Sequence, residues 1–148
     1  FPLMAAAFPN ARFVHAVRDP AATCWSNYRN FFNSGSLGYS CDLDDTRSYF
    51  ALYAALMENW KKLLPGRILD VSYEALTEAP EEEIPRLIED LELSWDPACL
   101  SPEKNTADMR TASAEQVRKP IYKGSSKAWE RYAPMIAGRF DGLSELPR

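Results

Sequence analysis

The sequence predicts an α/β fold that is mostly helical and contains a small parallel sheet. Two short β-type segments, residues 11–17 and 67–72, are separated by two helical segments. A strand–helix–helix–strand order favours parallel strands in one sheet. Parallel sheets are normally covered on both faces and contain more than two strands. We therefore expect these residues to be one part of a larger α/β domain.

The first strand and the first helix are predicted over residues 11–17 and 20–32. Pro9-Asn10 is a turn signal ahead of the strand, Asp19 suits the capping position of a helix, and Pro20 suits its first turn. Residues 33–41 are rich in glycine and serine and are expected to form a loop. The short apolar segment before the strand, residues 1–8, is expected to be the end of a helix.

A long helix is predicted over residues 43–64, because apolar side chains recur at spacings of three and four along one face. These side chains are Phe50, Tyr53, Met57, Trp60 and Leu64. Pro65-Gly66 ends this helix, and residues 67–72 form the second strand. An acidic helix over residues 80–91, a loop through 95–97 and a last helix over 126–140 complete the prediction.

The composition indicates one folded domain over residues 1–148, with 46% hydrophobic and 26% charged residues. No apolar run approaches the roughly 20 residues of a membrane span, and we expect neither a membrane nor a nucleic acid as a partner. The three cysteines form no Cys-x-x-Cys pair, and a single histidine leaves little for a metal site. A reduced, cytoplasmic protein without a metal is expected.

Charge is segregated along the chain, although the net charge is only −4. Nine acidic residues lie between positions 70 and 92, and six basic residues lie between positions 110 and 131. A local basic surplus can hold an anionic ligand on an acidic protein. Two solvated helix faces explain the same pattern, and for charge runs alone that explanation is the better one.

The junction between the first strand and the first helix carries two candidate anion-binding residues. Arg18 follows the strand, and Ser26 lies eight residues further on. Ligands of open α/β sheets bind at the carboxyl ends of strands, where helix N-termini point, and an arginine offers a bidentate fork to phosphate. A structural salt bridge for Arg18 and an ordinary helical role for Ser26 fit the residue types equally well.

Two further segments add candidates. Tyr73 follows the second strand at the same sheet edge, where its ring can lie beside a purine, although a boundary tyrosine with a buried ring is the commoner case. Residues 110–129 combine hydroxyls, cations and Gly124, which allows close approach of the backbone. The G-x-x-x-x-G-K-[ST] loop does not occur, so the chain is not an intact P-loop enzyme.

In their order and spacing these segments resemble the motifs of the PAPS-dependent sulfotransferase superfamily, where PAPS is 3′-phosphoadenylyl sulfate. Arg18-Asp-Pro with Ser26 resembles its 3′-phosphate motif, and Val71-Ser-Tyr73-Glu resembles its adenine-contacting segment. Lys123-Gly124, followed by Trp129, resembles its Arg-Lys-Gly loop. Nearly the whole chain is most similar to the bacterial tetratricopeptide-associated sulfotransferases.

The resemblance implies a partial P-loop NTPase-like fold and transfer of a sulfuryl group from PAPS to a hydroxyl or amine acceptor, which the sequence does not identify. Adenosine 3′,5′-bisphosphate (PAP) would be the nucleotide product. Arg18 and Ser26 would hold the 3′-phosphate, and Tyr73 would contact adenine. The other implied nucleotide contacts are Thr111, Ser113, Tyr122, Lys123 and Gly124. Tyr122 stands where the cytosolic branch of the family has arginine.

Two departures from the family pattern limit what the chain is expected to do. The loop that grips the 5′-phosphosulfate is absent, and the catalytic base of the family lies upstream of Arg-Asp-Pro and has no counterpart. His15 lies inside a strand, where a packed histidine is a better interpretation than a base. We therefore expect the C-terminal part of a sulfotransferase domain, inactive in isolation, that supplies the half of the site for the 3′-phosphate and adenine. A non-catalytic nucleotide-binding module, or one that self-associates through an exposed sheet edge, is the first alternative. Another nucleotide transferase, such as a kinase relative of the same fold, is the second.

Overall fold

The computed structural model describes residues 2–30, 32, 35–104 and 120–147. The helices are α1 (Pro2–Ala7), α2 (Pro20–Arg29), α3 (Leu43–Leu63), α4 (Tyr73–Glu78) and α5 (Pro80–Asp90), and the strands are β1 (Phe13–Val17) and β2 (Ile68–Ser72). Short 3₁₀ segments lie at Gly35–Cys41, Pro97–Leu100, Pro102–Lys104, Ser125–Lys127, Glu130–Met135 and Leu143–Glu145. Within these ranges, none of the helices has the length and apolar character needed to cross a membrane.

The two strands form a small parallel sheet in which His15 lies opposite Asp70 and Val17 lies opposite Ser72. This pairing confirms the predicted class, a mostly helical chain with a small parallel sheet. Because parallel strands run in the same direction, both carboxyl ends lie at one edge of the sheet. Residues 18 and 73, which follow the two strands directly, are therefore brought to that edge.

Helix α2 begins as the sequence predicts. The Asp19 side chain accepts a hydrogen bond from the Ala22 N–H at 2.7 Å, and Pro20 occupies the first turn, where its missing N–H costs nothing. The helix ends at Arg29, three residues before the predicted end, because Asn30 has extended backbone angles. Its inner face carries the fully buried Cys24.

Helix α3 packs the predicted apolar face towards the sheet. Met57 on that face is buried together with Ala54, whereas Leu52, Leu56 and Leu63 on the other faces are exposed. The chain reverses after the helix at Gly66, where φ is +72°. Only glycine adopts that left-handed conformation without steric cost.

The predicted helix over residues 126–140 is wrong. This region forms the 3₁₀ segments Ser125–Lys127 and Glu130–Met135, followed by hydrogen-bonded turns. Pro134 lacks the N–H that a continuous helix requires, and Gly138 has a φ of +71°. The apolar residues of the region still pack inward and form a core cluster with helix α2, made of Ala21, Cys24, Ile136, Phe140 and Leu143.

Two shorter elements also differ from the prediction. Residues 73–78 form helix α4 directly after β2, because the Ser72 hydroxyl accepts a hydrogen bond from the Ala75 N–H at 3.2 Å and caps it. Tyr73, which follows the strand as predicted, is thus the first residue of a helix. In the segment predicted as loop 33–41, Gly35–Cys41 is wound into 3₁₀ turns.

Candidate functional site

Arg18 lies at the carboxyl edge of the sheet and reaches across it to two other segments. Its Cζ lies 4.7 Å from the centroid of the Tyr73 ring, within the range of a favourable cation–π contact. Its Nε donates to Ser126 Oγ at 3.1 Å, and its Nη2 donates to Ser125 Oγ at 3.4 Å. The arginine therefore joins the end of β1, the start of α4 and the 3₁₀ segment at Ser125–Lys127.

The charge of Arg18 is not consumed by an ion pair in the described part of the chain, where no carboxylate lies within salt-bridge distance of it. Its partners there are an aromatic ring and two hydroxyls. A structural salt bridge, the alternative that the residue types left open, is therefore not formed with any described residue. A guanidinium held by neutral groups keeps its attraction for an anion.

Glu74 links Asp19 and Ser126 within this arrangement. Its Oε1 accepts the backbone N–H of Asp19 at 3.0 Å and also accepts the hydroxyl of Ser126. Burial opposes ionisation of the carboxyl, but the hydrogen bonds from Asp19, Ser126 and its own backbone, together with the charge of Arg18, outweigh burial and place the pKa of Glu74 below its usual range. Glu74 is thus an ionised acceptor that connects the two strand ends.

The Tyr73 hydroxyl completes the group, since its Oη lies 2.8 Å from Ser125 Oγ in a hydrogen bond. Five side chains from three segments are joined in this way. We call them the edge cluster: Arg18, Tyr73, Glu74, Ser125 and Ser126.

The structure brings some of the predicted site residues together. Arg18 and Tyr73 are in direct contact. Gly124, with a φ of +83°, immediately precedes Ser125 and turns the chain into the edge cluster. Lys123 and Tyr122 are exposed on the approach to that turn. The two strand ends and the segment around Gly124 therefore meet, as the motif order requires.

Other predicted residues are not joined to this group. Within the described ranges, no hydrogen bond links Ser26 on α2 to Arg18, Tyr73 or Lys123. Thr111 and Ser113 lie outside the described residues, and their predicted roles stay predictions.

Sequence reasoning did not single out Glu74, Ser125 and Ser126. A carboxylate argues against an anion site when it is considered alone, and serine pairs are common in loops. The available signal was adjacency in the sequence, since Glu74 follows Tyr73 and the two serines follow Gly124.

A second polar group joins the two strands to α3. We call it the inner network: His15, Tyr53, Lys61 and Asp70. His15 Nδ1 lies 2.7 Å from Asp70 Oδ1, and its Nε2 is hydrogen-bonded to the Tyr53 hydroxyl. Lys61 Nζ donates to Asp70 Oδ2 at 2.5 Å. The His15 side chain is only 11% exposed. These bonds tie β1, β2 and α3 together and make His15 a packed residue.

The acid–base properties of the inner network follow from its contacts. Burial opposes ionisation of Asp70, but hydrogen bonds and charges from Lys61 and His15 outweigh it and lower the pKa of Asp70. Burial and the charge of Asp70 raise the pKa of Tyr53. The cavity beside His15 and Tyr53, which Arg18 also lines, has room for only about 50 Å³, which suits a few water molecules and not a nucleotide.

Comparison with known proteins identifies the relationship of the chain. The model of the sulfotransferase family matches residues 1–97, a range that contains both strands, Arg18, Tyr73 and Glu74. An uncharacterized protein of Aquifex aeolicus (strain VF5) is 38% identical over 140 residues, which cover 93% of this chain and 18% of that protein. The chain thus spans less than a fifth of the length of this curated relative.

Proposed function

The chain belongs to the sulfotransferase family, and from this premise we propose that it takes part in the transfer of a sulfuryl group from PAPS to a hydroxyl or amine acceptor. Residues 1–148 would be the C-terminal part of one P-loop-type sulfotransferase domain, related to the bacterial tetratricopeptide-associated members and acting in the cytoplasm. In this role they hold the 3′-phosphate and the adenine of the donor, and of PAP after transfer.

The observation that carries the proposal is the edge cluster at the carboxyl ends of two parallel strands. Ligands of open α/β sheets bind at this edge, and Arg18 has no ion-pair partner among the described residues there. A phosphate dianion accepts the N–H donors that such a guanidinium offers. The 3′-phosphate is therefore assigned to Arg18.

The position of Tyr73 limits how adenine can be bound. Arg18 covers one face of the Tyr73 ring at 4.7 Å. The base is left with the ring edge or the opposite face, and an aromatic edge or offset stack suits a purine. Lys123 and Tyr122 are exposed beside Gly124, where they can close on the nucleotide from outside. Ser26, Thr111 and Ser113 are proposed as outer contacts on the family pattern.

The chemistry assigned to these residues is anchoring. In sulfuryl transfer an acceptor oxygen or nitrogen forms a bond to sulfur, the bond from sulfur to the 5′-phosphate oxygen breaks, and PAP leaves with the electron pair. Holding the leaving nucleotide in line lowers the entropic part of the barrier. Glu74 is not assigned as the base that takes the acceptor proton, because its Oε1 holds Asp19 and Ser126 in place. The base and the 5′-phosphosulfate loop are proposed to lie outside these residues.

A non-catalytic role is the second candidate, as a nucleotide-binding or self-associating module. Among the described residues each strand has a single neighbour in the sheet, so one edge of each strand is unpaired there. An unpaired strand edge favours pairing with another chain. Sedimentation at increasing concentration tests this candidate. A monomer throughout the range would contradict self-association and leave the leading proposal unaffected.

The leading proposal is tested by titrating the chain with PAP in a calorimeter. Arg18→Ala should weaken binding by about 2–3 kcal/mol, the scale of a hydrogen-bonded charge pair. Arg29→Ala removes an exposed arginine from the end of α2 and serves as the matched control, with binding within twofold of the unaltered chain. A change below about 0.5 kcal/mol for Arg18→Ala would remove this residue from the site.

A further inference from the structure

The two serines of the edge cluster both contact Arg18, but their other partners differ. Ser126 Oγ accepts from Arg18 Nε and donates to Glu74. Ser125 Oγ accepts from Arg18 Nη2 and is hydrogen-bonded to Tyr73 Oη. One serine is therefore bonded to a carboxylate and the other to a phenol, and this difference decides which of them has a proton to offer a ligand.

Ser126 has no proton for a phosphate. A serine hydroxyl carries one proton, and an ionised carboxylate can only accept. Hydrogen bonds outweigh burial and place the pKa of Glu74 below its usual range, so at neutral pH the ionised carboxylate accepts the hydrogen bond of the Ser126 hydroxyl. The Ser126 oxygen is left to accept from Arg18 Nε. Ser126 can fix the orientation of the guanidinium, but it cannot donate to an anion.

Ser125 and Tyr73 do retain a donor. Their two hydroxyls carry two protons, and the hydrogen bond between their oxygens uses one of them. The guanidinium has five N–H donors, of which two are used by described residues, one for each serine. Contacts among the described residues thus leave one O–H and three N–H groups unused in one small region. A phosphate group presents only acceptors, so it matches this set.

We propose, on the basis of the proposed function, that the residues of the edge cluster have two different roles in the nucleotide site. Ser125 and Tyr73 donate their spare hydroxyl proton to the same 3′-phosphate that Arg18 binds. Glu74 acts through Ser126 as a positioning residue that holds the Arg18 guanidinium in place. The negative charge of Glu74 opposes anion binding, so its benefit to the site lies in its hydrogen bonds to Ser126 and Asp19.

The direct contact is tested by comparing two probes, PAP and adenosine 5′-monophosphate, which lacks the 3′-phosphate. Ser125→Ala should bind PAP about tenfold more weakly, because a hydrogen bond to a charged group is lost, and should bind the monophosphate within twofold. Tyr73→Phe keeps the ring under Arg18 and removes only the hydroxyl, and it should weaken PAP alone by about threefold to tenfold. Ser144→Ala, at an exposed serine, is the matched control and should change neither affinity.

The positioning role is tested with two variants of the same residue. Glu74→Gln keeps an acceptor oxygen for Ser126 and Asp19 without the opposing charge, so PAP should bind as tightly as to the unaltered chain or more tightly. Glu74→Ala removes the acceptor and should weaken PAP about tenfold. The NMR signal of the Arg18 Nε–H reports the position directly. It should shift or broaden in Glu74→Ala and Ser126→Ala and be kept in Glu74→Gln and Ser125→Ala.

The outcomes separate this inference from the proposed function. Absence of PAP binding, or binding insensitive to Arg18→Ala, would overturn both. Binding that depends on Arg18 but not on Ser125, or a Ser125→Ala loss that is equal for both nucleotides, would overturn only the assignment of the 3′-phosphate to Ser125. A loss in Glu74→Gln as large as in Glu74→Ala would overturn the positioning role. Circular dichroism of every variant shows that each comparison is made between folded chains.

Discussion

The edge cluster and the inner network lie on the same pair of strands, yet they use their charges in opposite ways. In the inner network, Asp70 is paired with both His15 and Lys61. In the edge cluster, Arg18 is bonded to neutral groups in the described part of the chain, and Glu74 accepts from a backbone N–H and a hydroxyl. A network whose charges are paired internally stabilises the fold. A cation held by neutral groups keeps its capacity to bind an anion.

The surroundings of the two regions support the same distinction. His15 is packed between β2 and α3. Arg18, only three positions along the chain, lies beyond the last residue of β1, where the sheet ends. Because side chains alternate along a strand and the strand then stops, a few positions separate a packed residue from one at the sheet edge, where we propose that the nucleotide binds.

The largest expected effect is on stability, from His15→Ala. This change removes the hydrogen-bond partner of the Tyr53 hydroxyl and one of the two partners of the Asp70 carboxylate, which keeps Lys61, so the free energy of unfolding should fall by about 2–3 kcal/mol. Urea unfolding followed by circular dichroism measures it. Val14→Ala, at the exposed neighbour on the other face of β1, should cost less than about 1 kcal/mol.

The same variant distinguishes the two regions by function. The PAP affinity of the folded His15→Ala chain should stay within twofold of that of the unaltered chain, because His15 has no hydrogen bond to the edge cluster among the described residues. A tenfold loss of PAP affinity in a fully folded His15→Ala chain would show that the inner network belongs to the binding site.

The second expected effect is a loss of folding stability at low pH, which is tested with Asp70→Asn. The pKa of Asp70 is lower in the folded chain than the value near 3.9 of an unfolded chain. Its contribution to stability is therefore complete above about pH 5 and is lost as the pH falls through the lowered folded pKa. At pH 7 Asp70→Asn should cost about 1 kcal/mol, a figure reduced because the side chain is 43% exposed.

The two regions are compared by measuring how salt changes the stability cost of Asp70→Asn and of a second variant, Glu74→Gln. The pKa of Asp70 is lowered by hydrogen bonds and charges from Lys61 and His15, whereas that of Glu74 is lowered first by hydrogen bonds from two neutral donors, the Asp19 N–H and the Ser126 hydroxyl. Screening weakens exposed ion pairs more than hydrogen bonds to neutral donors. In 1 M salt the cost of Asp70→Asn should shrink by about half, and that of Glu74→Gln should not. Equal salt dependence would contradict the contrast between the two regions.

Much of the fold could be predicted because its signals are local. Asp19-Pro20 specified the start of α2, the apolar spacing specified α3 and its buried face, and the order of elements specified a parallel sheet. The helix expected over residues 126–140 does not form, although Ile136 and Phe140 of this stretch do pack into the core. Proline and glycine inside that stretch were the contrary signal.

The candidate site could be predicted only in part, for a related reason. Arg18 and Tyr73 were found because each follows a strand, a position that the topology alone brings to one edge. Ser125 and Ser126 are placed by a contact more than 100 positions along the chain from Arg18, which no local pattern encodes. Glu74 was passed over because its charge has the wrong sign for an anion site, and its value lies in its hydrogen bonds.

The smallest expected effect is on the reactivity of Cys24. It tests whether the only role of the edge cluster is to hold the C-terminal segment in place. Cys24 is fully buried against Ile136, Phe140 and Leu143, and burial raises its pKa to about 12. Apolar packing holds these residues, so Ser126→Ala should leave Cys24 as unreactive towards iodoacetamide at pH 8 as before. The exposed Cys41 reports the intrinsic labelling rate in the same mass spectrum. Phe140→Ala opens the packing and should expose Cys24. If Ser126→Ala speeds labelling of Cys24 as much as Phe140→Ala does, the serines of the edge cluster are structural clamps and their assignment to the nucleotide loses its basis.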